Sequence, residues 1–404
     1  MQEPNACPLR KKCGGCQLQH LSYAEQLQYK QSREEYLLGR FCKPEPILGM
    51  KNPTHYRNKV QAAFAYDARH RKIISGVYQS GSHRIVPVNN CMIEDTVADK
   101  IITDIRALMQ DFKFTAYDED SGRGFIRHVL VKRGFTTNQI MVVIVSGTPI
   151  FPAKNNFLKA LLKQHPEITT IIHNVNPYHT NLVLGKQETV LYGKGYIEDE
   201  LLGCTFRISA KSFYQINPVQ TEVLYRTAIE YAGLTGTETF FDAYCGTGTI
   251  GLIAATMGAG KVIGVELNKD AVKDAKYNAR RNQIQNAVFY AGDATRFITE
   301  MAQAGETVDV VMMDPPRAGS TEAFLTACAK LAPKRLVYIS CNPETLARDL
   351  RFLSKKGFRV QKIQPVDMFP FTSHIETVCL LSKLHEAKHH VNVTVDMDEL
   401  DVHR

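Results

Sequence analysis

The chain contains no tryptophan, so any stacking on a planar ligand falls to tyrosine, phenylalanine, histidine or arginine. It contains no apolar run of about 18 residues, and no membrane span is expected. Its first residues, Met1-Gln2-Glu3-Pro4-Asn5-Ala6-Cys7, lack the apolar core of a secretory signal, which makes the cytoplasm the expected compartment. Ten cysteines in 404 residues are too sparse for a disulfide scaffold. Charge of one sign is only mildly in excess. The 49 Lys and Arg against 41 Asp and Glu give a net +8, which permits nucleic acid without requiring it. No internal repeat is evident. What is present is an ordinary globular composition, 44% hydrophobic and 22% charged, with room for roughly two or three domains.

Three of the cysteines crowd the start, in a Cys- and Gly-rich knuckle over residues 1–20, while Cys91 stands apart. Residues 22–40 read as one amphipathic helix, with Ser22 as N-cap and Glu25 three residues later as its capping-box partner. From about 54 to 200 short strands dominate, at 60–66, 72–78, 124–132, 139–146, 169–176 and 189–192, interrupted by helical patterns near 94–111 and 154–165. This α+β region is dense in basic residues. Arg57, Lys59, Arg84, Arg127 and Arg133 are candidate phosphate contacts, although a solvated sheet face explains most such charges equally well. Tyr56 and Phe371 are candidates for stacking on bases.

From about 217 strands and helices alternate strictly, which requires a parallel, doubly wound sheet with right-handed crossovers. The strands fall at 238–243, 261–266, 286–290, 308–313, 335–340, 358–366 and 375–382. The last two have no helix between them, so an antiparallel pair is expected at one edge. That ending marks a class I (Rossmann-like) seven-stranded methyltransferase domain rather than a dinucleotide-binding one. The expected division is a Cys-rich segment and helix over 1–45, a central α+β domain over 46–205, a methyltransferase domain over 206–385 and a polar tail over 386–404.

The loop Phe241-Asp242-Ala243-Tyr244-Cys245-Gly246-Thr247-Gly248-Thr249-Ile250-Gly251 follows a strand and opens a helix. Gly246, Gly248 and Gly251 match G-x-G-x-x-G, and Glu266 ends the next strand where an acidic side chain accepts bonds from ribose hydroxyls. Dinucleotides and S-adenosylmethionine both satisfy this motif. Two features favour S-adenosylmethionine. The unit follows a substrate-binding region, and Asp293 ends the third strand, where it can contact an adenine edge. The plainer role for Asp293 is N-cap of the helix at 294–304.

Ligands of open α/β sheets sit at the carboxyl ends of the strands. Tyr244, Glu266, Asp293, Asp314 and Cys341 all fall there. The prolines of Asp314-Pro315-Pro316-Arg317 stiffen a loop suited to a planar nitrogenous target. Cys341, in Ser340-Cys341-Asn342-Pro343, narrows that target. An exocyclic amine needs no thiol, whereas carbon-5 of uracil is inert until a thiolate adds to carbon-6. The following helix is expected to lower the Cys341 pKa. Removing the carbon-5 proton after methylation requires a base, and Glu376, on an expected edge strand, is the candidate. A dehydrogenase would leave Cys341, Glu376 and the cysteine cluster without a role.

Together with Tyr56-Arg57-Asn58-Lys59, Ser212-Phe213-Tyr214-Gln215-Ile216-Asn217-Pro218 and Met368-Phe369-Pro370, these motifs resemble the S-adenosylmethionine-dependent RNA uracil-5 methyltransferases over nearly all of residues 7–383. The resemblance implies that Gln215, Tyr244, Glu266 and Asp314 bind cofactor or uracil, that Cys341 attacks, and that Glu376 takes the proton. Gln215 earns its role from the resemblance alone. Cys7, Cys13, Cys16 and Cys91 suit either zinc or an iron–sulfur cluster by their chemistry. The resemblance implies a [4Fe–4S] cluster of structural purpose, as in the branch acting on 23S ribosomal RNA, with the thymine loop of transfer RNA as the alternative target. Many relatives carry an oligonucleotide-binding barrel ahead of the cysteines. None is expected here, which leaves RNA grip to residues 54–200 and the methyltransferase face. A monomer is expected.

Overall fold

The computed structural model describes residues 7–79 and 82–383; the polar tail expected over 386–404 lies outside the described residues. The chain opens with α1 (Arg10–Cys13) and α2 (Tyr23–Leu38). Central elements follow: β1 (Lys59–Asp67), β2 (Lys72–Tyr78), β3 (Ile85–Pro87), α3 (Thr96–Asp111), β4 (Ile126–Arg133), β5 (Ile140–Ser146), α4 (Lys154–Gln164), β6 (Ile168–Val175) and β7 (Gln187–Tyr192). A hairpin, β8 (Ile197–Leu201) and β9 (Cys204–Ile208), leads into the last part. That part comprises α5 (Pro218–Ala232), β10 (Thr239–Ala243), α6 (Thr249–Thr256), β11 (Lys261–Glu266), α7 (Lys269–Arg281), β12 (Ala287–Ala291) and α8 (Ala294–Gln303). It ends with β13 (Val310–Met313), α9 (Glu322–Leu331), β14 (Arg335–Ser340), α10 (Pro343–Lys355), β15 (Phe358–Val366) and β16 (Glu376–Lys383).

Two seven-stranded sheets result, ordered β3-β2-β1-β4-β5-β6-β7 and β12-β11-β10-β13-β14-β16-β15. In the second, β10 to β14 run parallel with helices on both faces, and their strands read as near-continuous apolar runs. Here one expectation is corrected. The edge strand is β15, and β16 lies inside the sheet, antiparallel to both β14 and β15. Its sequence explains the placement: Thr377-Val378-Cys379-Leu380-Leu381 is apolar on both faces, whereas β15 exposes Arg359, Gln361 and Lys362. The bare flank of β15 is covered by the segment after α2, with Glu45 N donating to Ile363 O at 2.8 Å and Leu48 N to Pro365 O at 3.0 Å.

Local chemistry sets the helix starts. The capping box of α2 forms as its residues require, Ser22 N to Glu25 Oε2 at 2.7 Å and Glu25 N to Ser22 Oγ at 3.4 Å. Both α5 and α10 begin with proline at the first turn behind an asparagine cap, Asn217 and Asn342. The hairpin β8–β9, which no short-strand signal had suggested, seats Cys204 and Phe206 in the core beneath α5 and α6.

Candidate active site

Strand register places the reactive groups. Ser340 of β14 pairs with Thr377 of β16, so one antiparallel step further sets Cys341 opposite Glu376. On the other side of β14, Met313 pairs with Tyr338, which carries Asp314 to the same end of the sheet. Glu376 is buried, with 5% exposure. Burial first, then the neighbouring Asp314 carboxyl, holds its pKa well above the usual carboxylate range. Burial pushes Asp314 up to about 7. The half-buried Cys341 thiol rises to about 11 through burial, then the Glu376 and Asp314 carboxyls, against a lowering by Arg317. The expected lowering by the helix N-terminus is therefore overturned. Asn342, not Cys341, caps α10, accepting from Glu344 N at 3.1 Å, and burial first, then the two acids, raises the thiol.

Beside this triad stands a residue the sequence reading passed over. Tyr225 of α5 is buried, and its phenol lies close enough to Asp314, Asp242, Glu376 and the Gln215 side chain to be perturbed by them, after burial itself. Gln215 thus reaches the same end of the sheet from the segment before α5. Asp242 was missed as well. It is buried in β10, accepts from Gly251 N at 2.8 Å, and is pushed up to about 8, mostly by burial. A lone charge inside the run Phe240-Phe241-Asp242-Ala243 was the signal that could have revealed it.

The glycine loop turns through left-handed positions at three alternating residues, Tyr244, Gly246 and Gly248, with φ of 62°, 54° and 79°. At Gly248 a Cβ would lie 2.9 Å from the Phe289 ring, so glycine lets α6 approach β12. Glu266 braces the loop: its Oε2 accepts from Gly246 N at 3.1 Å and its Oε1 from Asn268 N at 2.8 Å. The Tyr244 ring packs inward on Phe324. Asp293 caps α8, with Oδ1 accepting from Arg296 N at 2.8 Å, the plainer of its two expected roles.

The N-terminal segment grips the loop that delivers Glu376. Lys30 and Asp367, both fully buried, pair at 2.5 Å, and Lys30 also donates to Phe369 O at 3.1 Å. Tyr23 donates to Asp367 at 2.8 Å, and Tyr56 to Pro370 O at 3.0 Å. Phe371, strained at φ 68°, donates its N–H to Gln26 Oε1 at 2.8 Å and accepts from Leu18 N at 2.9 Å. It is buried beside Met50 and Tyr56, so both aromatic residues expected to stack on bases serve packing.

A family profile described as tRNA (uracil-5-)-methyltransferase matches residues 22–384. The chain belongs to this family. Uncharacterized RNA methyltransferases of Clostridium acetobutylicum and Halalkalibacterium halodurans are 43% and 44% identical to it, over 94% and 93% of this chain and 83% and 82% of theirs. The crystal structure of Pyrococcus abyssi tRNA (uracil-54, C5)-methyltransferase with S-adenosyl-L-homocysteine has a TM-score of 0.75 at 26% identity, covering 91% of this chain and 85% of that one. As a tRNA (uracil-5-)-methyltransferase family member, the protein is an RNA methyltransferase dependent on S-adenosylmethionine, with an α/β fold. No helix among the described residues is long and apolar enough to cross a membrane.

Two further expectations for this family member meet the structure differently. Arg127 and Arg133 are not available to phosphate. Arg127 is buried against Glu119, and Arg133 binds Asp95 at 2.7 Å and Asn138 at 2.6 Å. Cys7, Cys13, Cys16 and Cys91 are all free and half-buried. Cys16 feels the charges of Cys13 and Cys7, and both Cys16 and Cys91 rest on the cluster of Met50, Tyr56, Ile93 and Phe371. As a donor set the four thiols suit a thiolate-ligated group by their chemistry, but only Cys16 and Cys91 rest on one shared cluster. Among the described residues, no three His, Cys, Asp or Glu side chains are drawn together tightly enough to hold a metal ion.

Proposed function

We propose that this enzyme methylates carbon-5 of a uridine in 23S ribosomal RNA through a covalent adduct with Cys341. Cys341 Sγ, having released its proton to solvent, adds as the thiolate to uracil carbon-6 and pushes the ring electron pair onto O4 and carbon-5. Carbon-5, now enolate-like, takes the methyl group of S-adenosylmethionine, and S-adenosylhomocysteine leaves. The Glu376 carboxylate removes the carbon-5 proton, and the returning electron pair expels sulfur and restores the ring double bond. Asp314, Gln215 and Tyr244 would line the uracil and cofactor side, with Gly246, Gly248, Glu266 and Asp293 on the nucleoside of the methyl donor. The observation that carries this reading is the strand register setting Cys341 opposite Glu376, with Asp314 on the adjoining strand. A paired, stacked uracil is not reachable in this way, so the target is unpaired or flipped out, at a cost of a few kcal/mol.

Cys7, Cys13, Cys16 and Cys91 would hold a [4Fe–4S] cluster, which would serve as a structural staple, since methyl transfer moves no electron. With it goes the division into residues 1–45, 46–205, 206–385 and 386–404, acting as a monomer in the cytoplasm. The cysteine set favours ribosomal RNA. Transfer RNA is the second reading, favoured by the family profile and by the solved relative's action on uracil-54. RNA carrying 5-fluorouridine tests the chemistry: fluorine cannot leave as a proton does, so a protein–RNA adduct should survive denaturing electrophoresis. Absence of an adduct at a site that is methylated in ordinary RNA would refute the covalent route. Mapping 5-methyluridine in ribosomal and transfer RNA from cells with and without the protein decides the target.

A further inference from the structure

The central sheet holds a cavity of about 360 Å³, within the range of small-ligand sites, lined in part by Gln61, Tyr78, Glu119, Arg127, His128 and Asn181. Its one guanidinium is spent. Arg127 Nε and one terminal nitrogen donate to the two Glu119 oxygens, each at 2.7 Å. The remaining donors go to the carbonyls of Asn176 at 3.1 Å, Tyr178 at 2.9 Å and Thr180 at 3.3 Å. All five N–H groups are used, and Glu119 cancels the charge, so the cavity does not suit a phosphate. Tyr78 donates to Glu119 at 3.2 Å, which fixes its ring edge-on to His128 at 6.1 Å and 74°. His128 is only 4% exposed, yet its Nδ1 has no partner. Burial, then Arg127, pushes its pKa down to about 4, so the imidazole is neutral. That nitrogen is shielded from solvent, so His128 supplies a neutral wall and not a hydrogen bond to a ligand. A neutral polar wall, fixed aromatic rings and the three side-chain amides of Gln61, Gln79 and Asn181 describe a receptor for a flat, uncharged heterocycle.

His128, Leu130 and Lys132 alternate onto one face of β4. Leu130 packs there against Ile208 and Ala210, and Lys132 Nζ donates to Ser209 O at 2.8 Å and Ser212 O at 2.9 Å, on the segment that ends in Gln215. Four residues at ~3.3 Å each put the cavity about 13 Å along the strand from that segment. We propose that this cavity receives a second nucleobase of the RNA substrate, one that is not methylated, splayed from the strand within a few nucleotides of the target uridine. The inference rests on the reading of uridine methylation in RNA and adds to it a determinant of which uridine is chosen.

The test is an abasic scan across nucleotides flanking the methylated uridine of a short RNA substrate. With the unaltered protein, loss of one base should raise KM about tenfold or more, the scale of losing one stacked base. His128→Leu should raise KM on the intact RNA by a similar factor and then be indifferent to that missing base, with S-adenosylhomocysteine affinity unchanged. Asn181→Ala, at an exposed position, repeats the cycle without touching the core. Additive effects of variant and missing base, or KM unchanged within twofold in both variants, would overturn the proposal and leave the cavity a site for ordered water. If the unaltered protein methylates no RNA, the functional reading itself fails, which is a separate result.

Discussion

The two seven-stranded sheets place their polar chemistry in opposite ways. The methyltransferase sheet is parallel through β14, so every strand ends at the same rim. Asp314, Cys341 and Glu376, far apart in sequence, meet there because register requires it. The central sheet is mostly antiparallel and has no such rim. Its unusual residues sit on one strand, where Arg127, His128 and Lys132 of β4 are buried among apolar neighbours. A rim concentrates groups that must move protons and form bonds. A face fixes groups that read shape and hold segments in place. Damage to the rim should strike turnover, and damage to the face should strike substrate binding and stability.

The largest effect belongs to the rim. Cys341→Ala removes the nucleophile and should cut methyl transfer by more than about 10⁴-fold while leaving S-adenosylhomocysteine affinity within severalfold. Residual activity near the unaltered level would mean that the sulfur takes no part. Glu376→Gln comes next, at roughly 10²–10⁴-fold. Because it blocks proton removal and not attack, it should accumulate a methylated RNA adduct on ordinary, unfluorinated substrate, visible as a slow band on a denaturing gel. Loss of activity with no adduct would move Glu376 to an earlier step.

The rim also predicts a pH profile. With the thiol raised to about 11, it holds its proton at neutral pH. The thiolate fraction grows about tenfold per pH unit below that value, so kcat/KM should climb roughly 100-fold between pH 7 and 9. A profile flat across that window would show that bound RNA rearranges the charges around Cys341.

The rim was more legible in the sequence than the face was. Strand–helix alternation and strand-end chemistry are local patterns, and Asp314, Glu266 and Cys341 follow from them. What escaped depends on pairing between distant segments. Nothing local in Thr377-Val378-Cys379 says that β16 inserts beside β14, and the rise of the Cys341 pKa follows from burial and then from the carboxyls beside it. Arg127 read as a phosphate contact because Glu119 and three carbonyls across the sheet leave no trace in its own neighbourhood. Tyr225 looked like an ordinary apolar-face residue of α5.

The smallest effects compare a buried acid near the rim with a buried base on the face. Glu34 of α2 is fully buried with neither oxygen partnered, near Thr377, and burial pushes it up to about 8. Lys132 is pushed down to about 7 by burial and then Lys59. For Glu34 the folded state holds a proton that the unfolded chain releases above about pH 4.3, so the folded protein loses stability as pH rises toward 8. For Lys132 the unfolded chain keeps a proton that the folded state sheds above about pH 7, so its contribution grows from there toward pH 10. Each slope is at most about 1.4 kcal/mol per pH unit. Thermal denaturation of Glu34→Gln should therefore match the unaltered protein near pH 4 and exceed it progressively up to pH 8. Lys132→Met leaves the Ser209 and Ser212 carbonyls without their donor, a cost of about 1–3 kcal/mol, and its deficit should widen above pH 7 instead. Parallel pH dependences in the two variants would mean that the acid and the base sit in similar surroundings, and the contrast between rim and face would be lost.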